Sequence, residues 1–138
     1  MAPRGRGVGV PVVLALAMAA AACGSSINSS TSYTSLLDPD QPRSPTSTIT
    51  ITSSGVSPVV LHRDHPLTAT FVNDDTVSHH LESAPELLWD NCPEMNALGN
   101  LKPGERRDVA FSEADAVCAY HDAAQPGNVA FQGYVAIH

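Results

Sequence analysis

The sequence has few basic residues. Its 138 residues include seven lysines and arginines against fourteen aspartates and glutamates, a formal net charge of −7 at neutral pH. Because nucleic acids bind to positively charged surfaces, this balance argues against DNA or RNA as a partner. The simplest interpretation of the acidic excess is a solvated surface, although it would also suit a basic protein partner.

The sequence also lacks a hydrophobic run long enough for a comfortable membrane span. The apolar run at residues 8–22 is short, contains Pro11 and follows Arg4 and Arg6. A basic start, a short apolar stretch and small residues before a cleavage point are typical of a secretory signal. We therefore predict that residues 1–22 are a signal peptide. Its removal takes two of the seven basic residues and leaves five against fourteen acidic ones.

The residues at the predicted cleavage point resemble the lipobox of bacterial lipoproteins. Ala20, Ala21 and Ala22 lead directly into Cys23, and glycine and serine follow. In that motif the cysteine becomes the lipid-bearing first residue of the mature chain. The resemblance implies a lipid anchor at Cys23 and a place in the bacterial cell envelope or periplasm. Simple secretion and an uncleaved anchor are the alternatives.

The next segment has little apolar content. Serine and threonine dominate residues 24–48, and Pro39, Pro42 and Pro45 lie near its end. Such a composition buries too little surface to offset the entropy lost on ordering the chain. We predict that residues 23–47 are a flexible tether between the membrane and a domain that begins at residue 48.

After residue 48 the sequence lacks any long helical periodicity, which disfavours an α-helical domain. Short β-branched runs separated by proline, glycine and Asx residues take its place. The strand-like runs include residues 48–52, 56–63, 67–73, 106–111, 116–122 and 129–137. In the best of them, Leu67, Ala69 and Phe71 fall on one face. Seven or so short strands predict an all-β, Greek-key β-sandwich over residues 48–138.

Two polar clusters follow strand-like runs. Residues 73–80 end in His79 and His80, and residues 117–126 contain Cys118, His121 and Asp122. A thiol, an imidazole and a carboxylate at the end of a strand are the side chains most able to carry chemistry here. A sandwich of strands can bring the two clusters together.

The order and spacing of four motifs resemble the cupredoxins, the small copper proteins that include plastocyanin and pseudoazurin. The motifs are residues 70–75 leading to His79, then 101–105, 120–122 and the closing run 133–137. The resemblance implies a cupredoxin-like sandwich and copper as the cofactor. It also implies a trigonal site of two histidines and one cysteine, with a weak axial methionine.

Within this resemblance His79 matches the first histidine, but the last loop has two competing alignments. One equates Cys118 and His121 with the family's cysteine and histidine. The other equates residues 120–122 with a tyrosine-histidine-cysteine motif. It puts Asp122 at the thiolate position and Gln125 at the second-histidine position. Spacing favours the second alignment, because the family has only a short stretch between the thiolate position and the closing strand. Gly133 of the closing run lies eleven residues after Asp122 but fifteen after Cys118.

Methionine is missing from the last loop in either alignment, because no methionine follows Met95. We therefore expect an altered or lost copper site, with His79, His121 and Asp122 as the candidate metal ligands. A solvated loop histidine is the alternative interpretation of His79. His62 and His65 bracket a turn and are expected to be exposed.

Cysteine is scarce, and this favours a disulfide. Once Cys23 carries lipid, Cys92 and Cys118 are the only cysteines left. In an oxidising compartment a single remaining pair is most often bonded. A disulfide between them would exclude Cys118 as a copper thiolate.

The sequence also lacks a nucleophile and base pair, or paired carboxylates at a convincing spacing, so we expect no enzyme. The first functional hypothesis is a membrane-anchored extracytoplasmic cupredoxin-like protein. It would bind copper through an altered site, for copper handling or electron transfer with a redox or copper-handling protein partner. The alternative is a metal-free sandwich that acts as a structural or protein-binding module on the cell envelope. In both cases we expect a monomer.

Overall fold

A computed structural model describes residues 33–88 and 92–138. The predicted signal peptide, the lipidation residue Cys23 and the first part of the predicted tether lie outside the described residues. Residues 89–91 also lie outside them. Among the residues that are described, no helix is both long and apolar enough to cross a membrane.

The described chain is mostly β-strand. The strands are β1 (Thr48–Thr52), β2 (Gly55–Ser57), β3 (Val60–Arg63), β4 (Leu67–Asn73), β5 (His79–Ser83), β6 (Asn100–Leu101), β7 (Arg106–Phe111), β8 (Ala116–Asp122) and β9 (Gln132–Ile137). The helices are single turns: α1 (Tyr33–Leu36), α2 (Pro85–Leu88), α3 (Pro93–Asn96) and a 3-10 turn at Val129–Phe131.

The strands form two sheets. One has four strands in the order β2-β1-β4-β7, and the other has five in the order β3-β9-β8-β5-β6. Strand β1 pairs in parallel with β4, and β3 in parallel with β9, whereas the other pairings are antiparallel. The chain passes from one sheet to the other five times, after β2, β3, β4, β6 and β7. This arrangement confirms the predicted all-β sandwich.

The core lies between the two sheets and is filled by alternating side chains. Every second residue of β4 is buried, including Leu67, Ala69 and Phe71, as the alternation predicted. Tyr120 of β8 is fully buried and meets Phe71 edge-on, with ring centroids 5.7 Å apart. Gly133 of β9 is paired with Tyr120 and leaves room for its ring.

Turn chemistry explains two chain reversals. The predicted turn from Lys102 to Glu105 is present, since the Glu105 N–H donates to the Lys102 carbonyl at 2.9 Å. Gly104 supplies the positive φ of 76° that this turn requires. The run predicted at residues 56–63 is divided into β2 and β3 at Pro58, because proline has no N–H for a sheet ladder.

The described part of the predicted tether lies on the outer face of the five-stranded sheet. Leu36 is only 3% exposed and packs with Val117 and Ala136. Arg43 forms an ion pair with Asp64 at 2.7 Å. The folded unit therefore extends toward the N-terminus beyond the predicted start at residue 48. A flexible tether stays a prediction for residues 23–32.

Candidate functional site

The fold brings the two polar clusters of the sequence together at one end of the sandwich. His79 begins β5 and Asp122 ends β8, and these strands are antiparallel neighbours with Leu81 opposite Asp122. Nδ1 of His79 lies 2.7 Å from Oδ2 of Asp122, and both side chains are 1% exposed. The imidazole and the carboxylate therefore form a buried contact between adjacent strands.

A second carboxylate lies on the other side of the His79 ring. Nε2 of His79 is 3.0 Å from Oδ2 of Asp75, whose side chain is 8% exposed. Asp75 belongs to the loop between β4 and β5, and its Oδ1 accepts a hydrogen bond from the Thr76 N–H at 2.6 Å. Both ring nitrogens of His79 are therefore within hydrogen-bond distance of a carboxylate oxygen.

Asn73 positions this loop. Its side chain is completely buried, and its Nδ2 donates to the carbonyls of Val77 at 2.8 Å and Leu101 at 2.9 Å. Its Oδ1 accepts from the Asp75 N–H at 2.9 Å. One side chain thus closes the turn that places Asp75 against His79. The sequence drew attention to this cluster but gave Asp75 and Asn73 no role.

Hydrogen bonds keep Asp122 ionised. Burial raises the pKa of this carboxyl, but the hydrogen bonds that it accepts from His79 and from the N–H groups of Ala124 and His80 outweigh burial. Its Oδ1 is 3.0 Å from the Ala124 N–H and 3.4 Å from the His80 N–H. The net result is a pKa below the usual range for aspartate.

Asp75 is also held ionised. The hydrogen bond from His79 is the largest influence, and the N–H of Thr76 adds to it, so that the pKa of Asp75 lies below its ordinary value. Only the imidazolium form of histidine carries a proton on both nitrogens. Each of the two nitrogens of His79 therefore lies against an ionised carboxylate.

We call Asp75, His79 and Asp122 the His79 cluster. The loop between β8 and β9 closes over it. The Phe131 ring stacks on the His79 ring with centroids 5.1 Å apart and planes 21° apart. Gln125, which the second alignment puts at the family's second-histidine position, is turned to Asn128, whose Nδ2 donates to its Oε1 at 3.0 Å.

His121 is not part of the His79 cluster. It precedes Asp122 on β8, so its side chain points to the opposite face of the sheet. There its Nε2 lies 3.2 Å from Oε1 of Glu82. Its Nδ1 lies 2.6 Å from Oε1 of Glu86, an ion-pair distance without hydrogen-bond geometry. Of the three candidate ligands, the structure brings together His79 and Asp122 and leaves His121 apart.

A disulfide joins Cys92 and Cys118, as predicted, with their Cα atoms 5.5 Å apart. Cys92 precedes α3 and Cys118 lies in the middle of β8. The bond ties the irregular chain after β5 to the centre of the five-stranded sheet. A disulfide sulfur is not a thiolate, so the alignment that makes Cys118 a copper ligand is excluded in this state.

The architecture is similar to that of solved copper proteins. A purple cupredoxin from Nitrosopumilus maritimus is 24% identical and matches over 66% of this chain and 98% of its own, with a TM-score of 0.50. A reduced Cu(I) amicyanin mutant is 18% identical over 71% of this chain and 87% of its own, with a TM-score of 0.51. This chain has a cupredoxin-like fold.

The same fold occurs inside a larger protein. A copper-containing nitrite reductase from Thermus scotoductus is 19% identical over 66% of this chain, with a TM-score of 0.52, but the match spans only 22% of the reductase. No protein-family model and no curated protein matches the sequence. At these identities the likeness establishes the fold alone.

The residues of the His79 cluster do not fit the copper site that the resemblance implies. Cys118 is bonded to Cys92, and both nitrogens of His79 face carboxylates. Asp75 and Asp122 approach opposite sides of one ring, so they do not converge on a common ion. In the described part of the chain, no group of three or more His, Cys, Asp or Glu side chains has a metal-binding arrangement. Metal binding by His79, His121 and Asp122 stays a prediction.

Proposed function

We propose that this chain is an extracytoplasmic, lipid-tethered cupredoxin-like protein in which the His79 cluster takes the place of a metal. It acts as a monomeric, non-enzymatic module for protein binding or structural support at the cell envelope. One observation carries the proposal: Nδ1 and Nε2 of His79 lie 2.7 and 3.0 Å from two carboxylate oxygens. No lone pair of this ring is free to bind an ion.

The charges of the cluster support a stable metal-free state. A buried carboxylate needs a positive charge or several N–H donors nearby, since an unpaired buried charge is strongly unfavourable. Asp122 has the His79 ring and two backbone N–H groups. These three partners hold Asp122 without a metal ion.

The disulfide supports the proposed location. Disulfides persist in oxidising compartments outside the cytoplasm and are rare inside it. The Cys92–Cys118 bond is therefore consistent with the export that residues 1–22 predict. Replacement of Cys23 by serine tests the anchor. We expect Cys23→Ser to stop lipid incorporation and to move the protein from the membrane fraction to the soluble fraction. Continued fatty-acid labelling of the variant would refute the anchor.

Metal analysis of two proteins tests the metal-free cluster. The mature chain without Cys23 and its His79→Ala variant are exposed to Cu(I) and then to Cu(II), dialysed and analysed for bound copper. We expect equal copper contents in the two proteins, because His79 holds carboxylates rather than copper. Copper that binds to the parent protein and is missing from His79→Ala would disprove the metal-free cluster.

That contrary outcome would favour the second candidate, copper handling or electron transfer through His79 with Asp122 or His121. The cupredoxin-like fold favours it. It requires His79 to release at least one carboxylate on binding. Such a site has no thiolate, so the intense absorption at roughly 600 nm of His, His, Cys copper sites would be absent and the protein would be pale.

A further inference from the structure

A pair of histidines lies at the end of the sandwich opposite the His79 cluster. His62 is in β3 and His138 follows β9, and these two strands are parallel neighbours. Ile137 is opposite Ala116 at the start of β8, whereas Asp122 ends the same strand. Six residues of strand at about 3.3 Å each place the two groups roughly 20 Å apart. The pair is therefore independent of the proposed metal-free cluster.

The two rings approach each other through their nitrogens. Nδ1 of His62 lies 3.3 Å from Nε2 of His138. The ring centroids are 5.6 Å apart and the planes differ by 24°. The sequence predicted that His62 would be exposed, but it is half-buried on the outer face of the sheet. There the Ser44 hydroxyl accepts a hydrogen bond from its backbone N–H at 3.0 Å.

Both imidazoles favour the neutral form, in which a ring nitrogen keeps a lone pair for a metal ion. Burial lowers the pKa of His62, and the nearby His138 and Arg43 lower it further. Burial and Arg43 also lower the pKa of His138, against the opposing influence of Asp64, Asp115 and Asp38. Two facing imidazolium rings would repel each other, so at least one ring is neutral in this arrangement.

The spacing of the two nitrogens suits one shared ion. Two nitrogens bound to a tetrahedral ion at about 2.0–2.1 Å lie about 3.3–3.4 Å from each other. The observed separation of 3.3 Å already has this value. In the absence of an ion one of these nitrogens donates its N–H to the other. Binding of a shared ion therefore needs the donor ring to carry its proton on its other nitrogen, and both lone pairs to turn toward a common point.

The surroundings favour a cation. Three carboxylates, Asp38, Asp64 and Asp115, act on His138, against the positive charge of Arg43. The neighbouring Arg63 donates to the Ser44 carbonyl at 3.0 Å. Arg43 is itself paired with Asp64 at 2.7 Å. The Asp64 side chain is 69% exposed, so it has room to leave Arg43 and offer an oxygen to an ion held by the histidines.

We propose that His62 and His138 form a binding site for a borderline divalent transition-metal ion such as Cu²⁺ or Zn²⁺, completed by water or by a carboxylate of Asp64 or Asp115. Imidazole nitrogen suits Cu²⁺, Ni²⁺ and Zn²⁺, and square-planar sites of nitrogen and oxygen ligands are typical of Cu²⁺ or Ni²⁺. The site binds Cu²⁺ more tightly than Zn²⁺, following the general order of affinities for these ions.

Calorimetric titration of the mature chain without Cys23 and without a polyhistidine tag tests this site, with Cu²⁺ and Zn²⁺ in a non-chelating buffer. We expect one saturable Cu²⁺ site per chain. His62→Ala and His138→Ala should each weaken Cu²⁺ binding by more than about 10- to 100-fold. A loss of about 10- to 100-fold is typical when only an outer-shell partner of a ligand is removed, and the loss of a ligand should exceed it. His65→Ala is the matched control, because His65 is exposed and it is its backbone N–H that donates to the His138 carbonyl.

A spectroscopic measurement on the unmutated protein removes the dependence on variants that fold poorly. Electron paramagnetic resonance of the Cu²⁺ complex should show coupling to two imidazole nitrogens, and the coupling should be unchanged in His79→Ala. Absence of saturable binding, or equal affinities in His62→Ala and His65→Ala, would overturn the proposal. Loss of the signal in His79→Ala would instead place the copper at the His79 cluster and would refute both proposals.

Discussion

His79 and Asp122 are 43 residues apart in sequence and 2.7 Å apart in space, in contact across two antiparallel strands. The contact is buried, so neither group can satisfy its charge with water if the other is removed. For this reason the energetic importance of each side chain depends on the presence of its partner. The following experiments test this dependence and the contacts that support it.

A double-mutant cycle measures the coupling of His79 and Asp122. We expect Asp122→Asn to lower the free energy of unfolding by about 3–5 kcal/mol, the range for breaking a buried ion pair. His79→Gln should have a similar effect, and the double variant should lose clearly less than the sum. Asp74→Asn is the control, since Asp74 is an exposed carboxylate in the same part of the chain. Additive single effects would show that the two side chains are not coupled.

The dependence of stability on pH follows from the lowered pKa values of Asp75 and Asp122. A carboxyl with a lower pKa in the folded state contributes fully above its unfolded pKa of about 3.9. That contribution is lost as the pH falls through the folded value. We expect the melting temperature to fall steeply below roughly pH 4.

Comparison of Asp75→Asn with the parent protein isolates one carboxylate. The difference in melting temperature should be largest near neutral pH and should shrink as the pH falls, because protonation removes the same charge in the parent. Asp74→Asn should follow the parent curve at every pH. A constant difference between Asp75→Asn and the parent down to the acid limit would contradict this expectation.

The disulfide closes a loop between residues 26 positions apart. In the chain-entropy model such a loop stabilises the fold by roughly 3–4 kcal/mol. We expect Cys92→Ser and Cys118→Ser to lower the melting temperature by similar amounts, because either change breaks the same bond. The chain without Cys23 should take up no alkylating reagent before reduction and two equivalents after it. If Cys92→Ser left the melting temperature almost unchanged while Cys118→Ser lowered it strongly, the two cysteines would not be joined by one bond.

Local patterns were enough to predict much of this fold. Alternation predicted the buried face of β4, and Pro103 with Gly104 predicted the turn into β7. The disulfide was predictable because only one pair of cysteines was available. These features depend on neighbouring residues or on residue counts, which a single sequence displays directly.

The contacts that the sequence did not predict depend on tertiary structure. Asp75 reaches His79 only because the buried Asn73 fixes the loop between β4 and β5. His62 meets His138 because β3 pairs in parallel with the distant β9. Leu36 packs on the outer face of the sheet although its segment has too little apolar content to indicate an ordered element.

Asn73 should be essential for the His79 cluster although it does not touch the ring. Asn73→Ala removes the donors of two carbonyls and the acceptor of the Asp75 N–H in a buried place. We expect a loss of about 2–4 kcal/mol in the free energy of unfolding, since each unpaired buried group is unfavourable by about 1–3 kcal/mol. The stability of Asn73→Ala should also depend less on pH below neutrality. An unchanged acid profile would show that Asp75 reaches His79 without Asn73.

The last expectation concerns the contact between Gly133 of β9 and the Tyr120 ring of β8. A Cβ atom at Gly133 would overlap the Tyr120 hydroxyl and lie 2.5 Å from its Cζ. The Tyr120 ring is fully buried and meets Phe71 edge-on, so a shift of the ring would disturb the core. We expect Gly133→Ala to destabilise the domain by about 1–3 kcal/mol, as overpacking of a core usually does.

Gly127→Ala is the matched control, because a Cβ there meets no atom within 4 Å. It should be neutral, or stabilising by about 0.4–1 kcal/mol through a less flexible unfolded chain. Tyr120→Leu should relieve part of the loss in Gly133→Ala, since a shorter side chain removes the overlapping atoms. Equal stability of Gly133→Ala and Gly127→Ala would contradict this expectation. It would mean that the Tyr120 ring does not fill the space over Gly133, so the packing of β8 on β9 described above would be wrong.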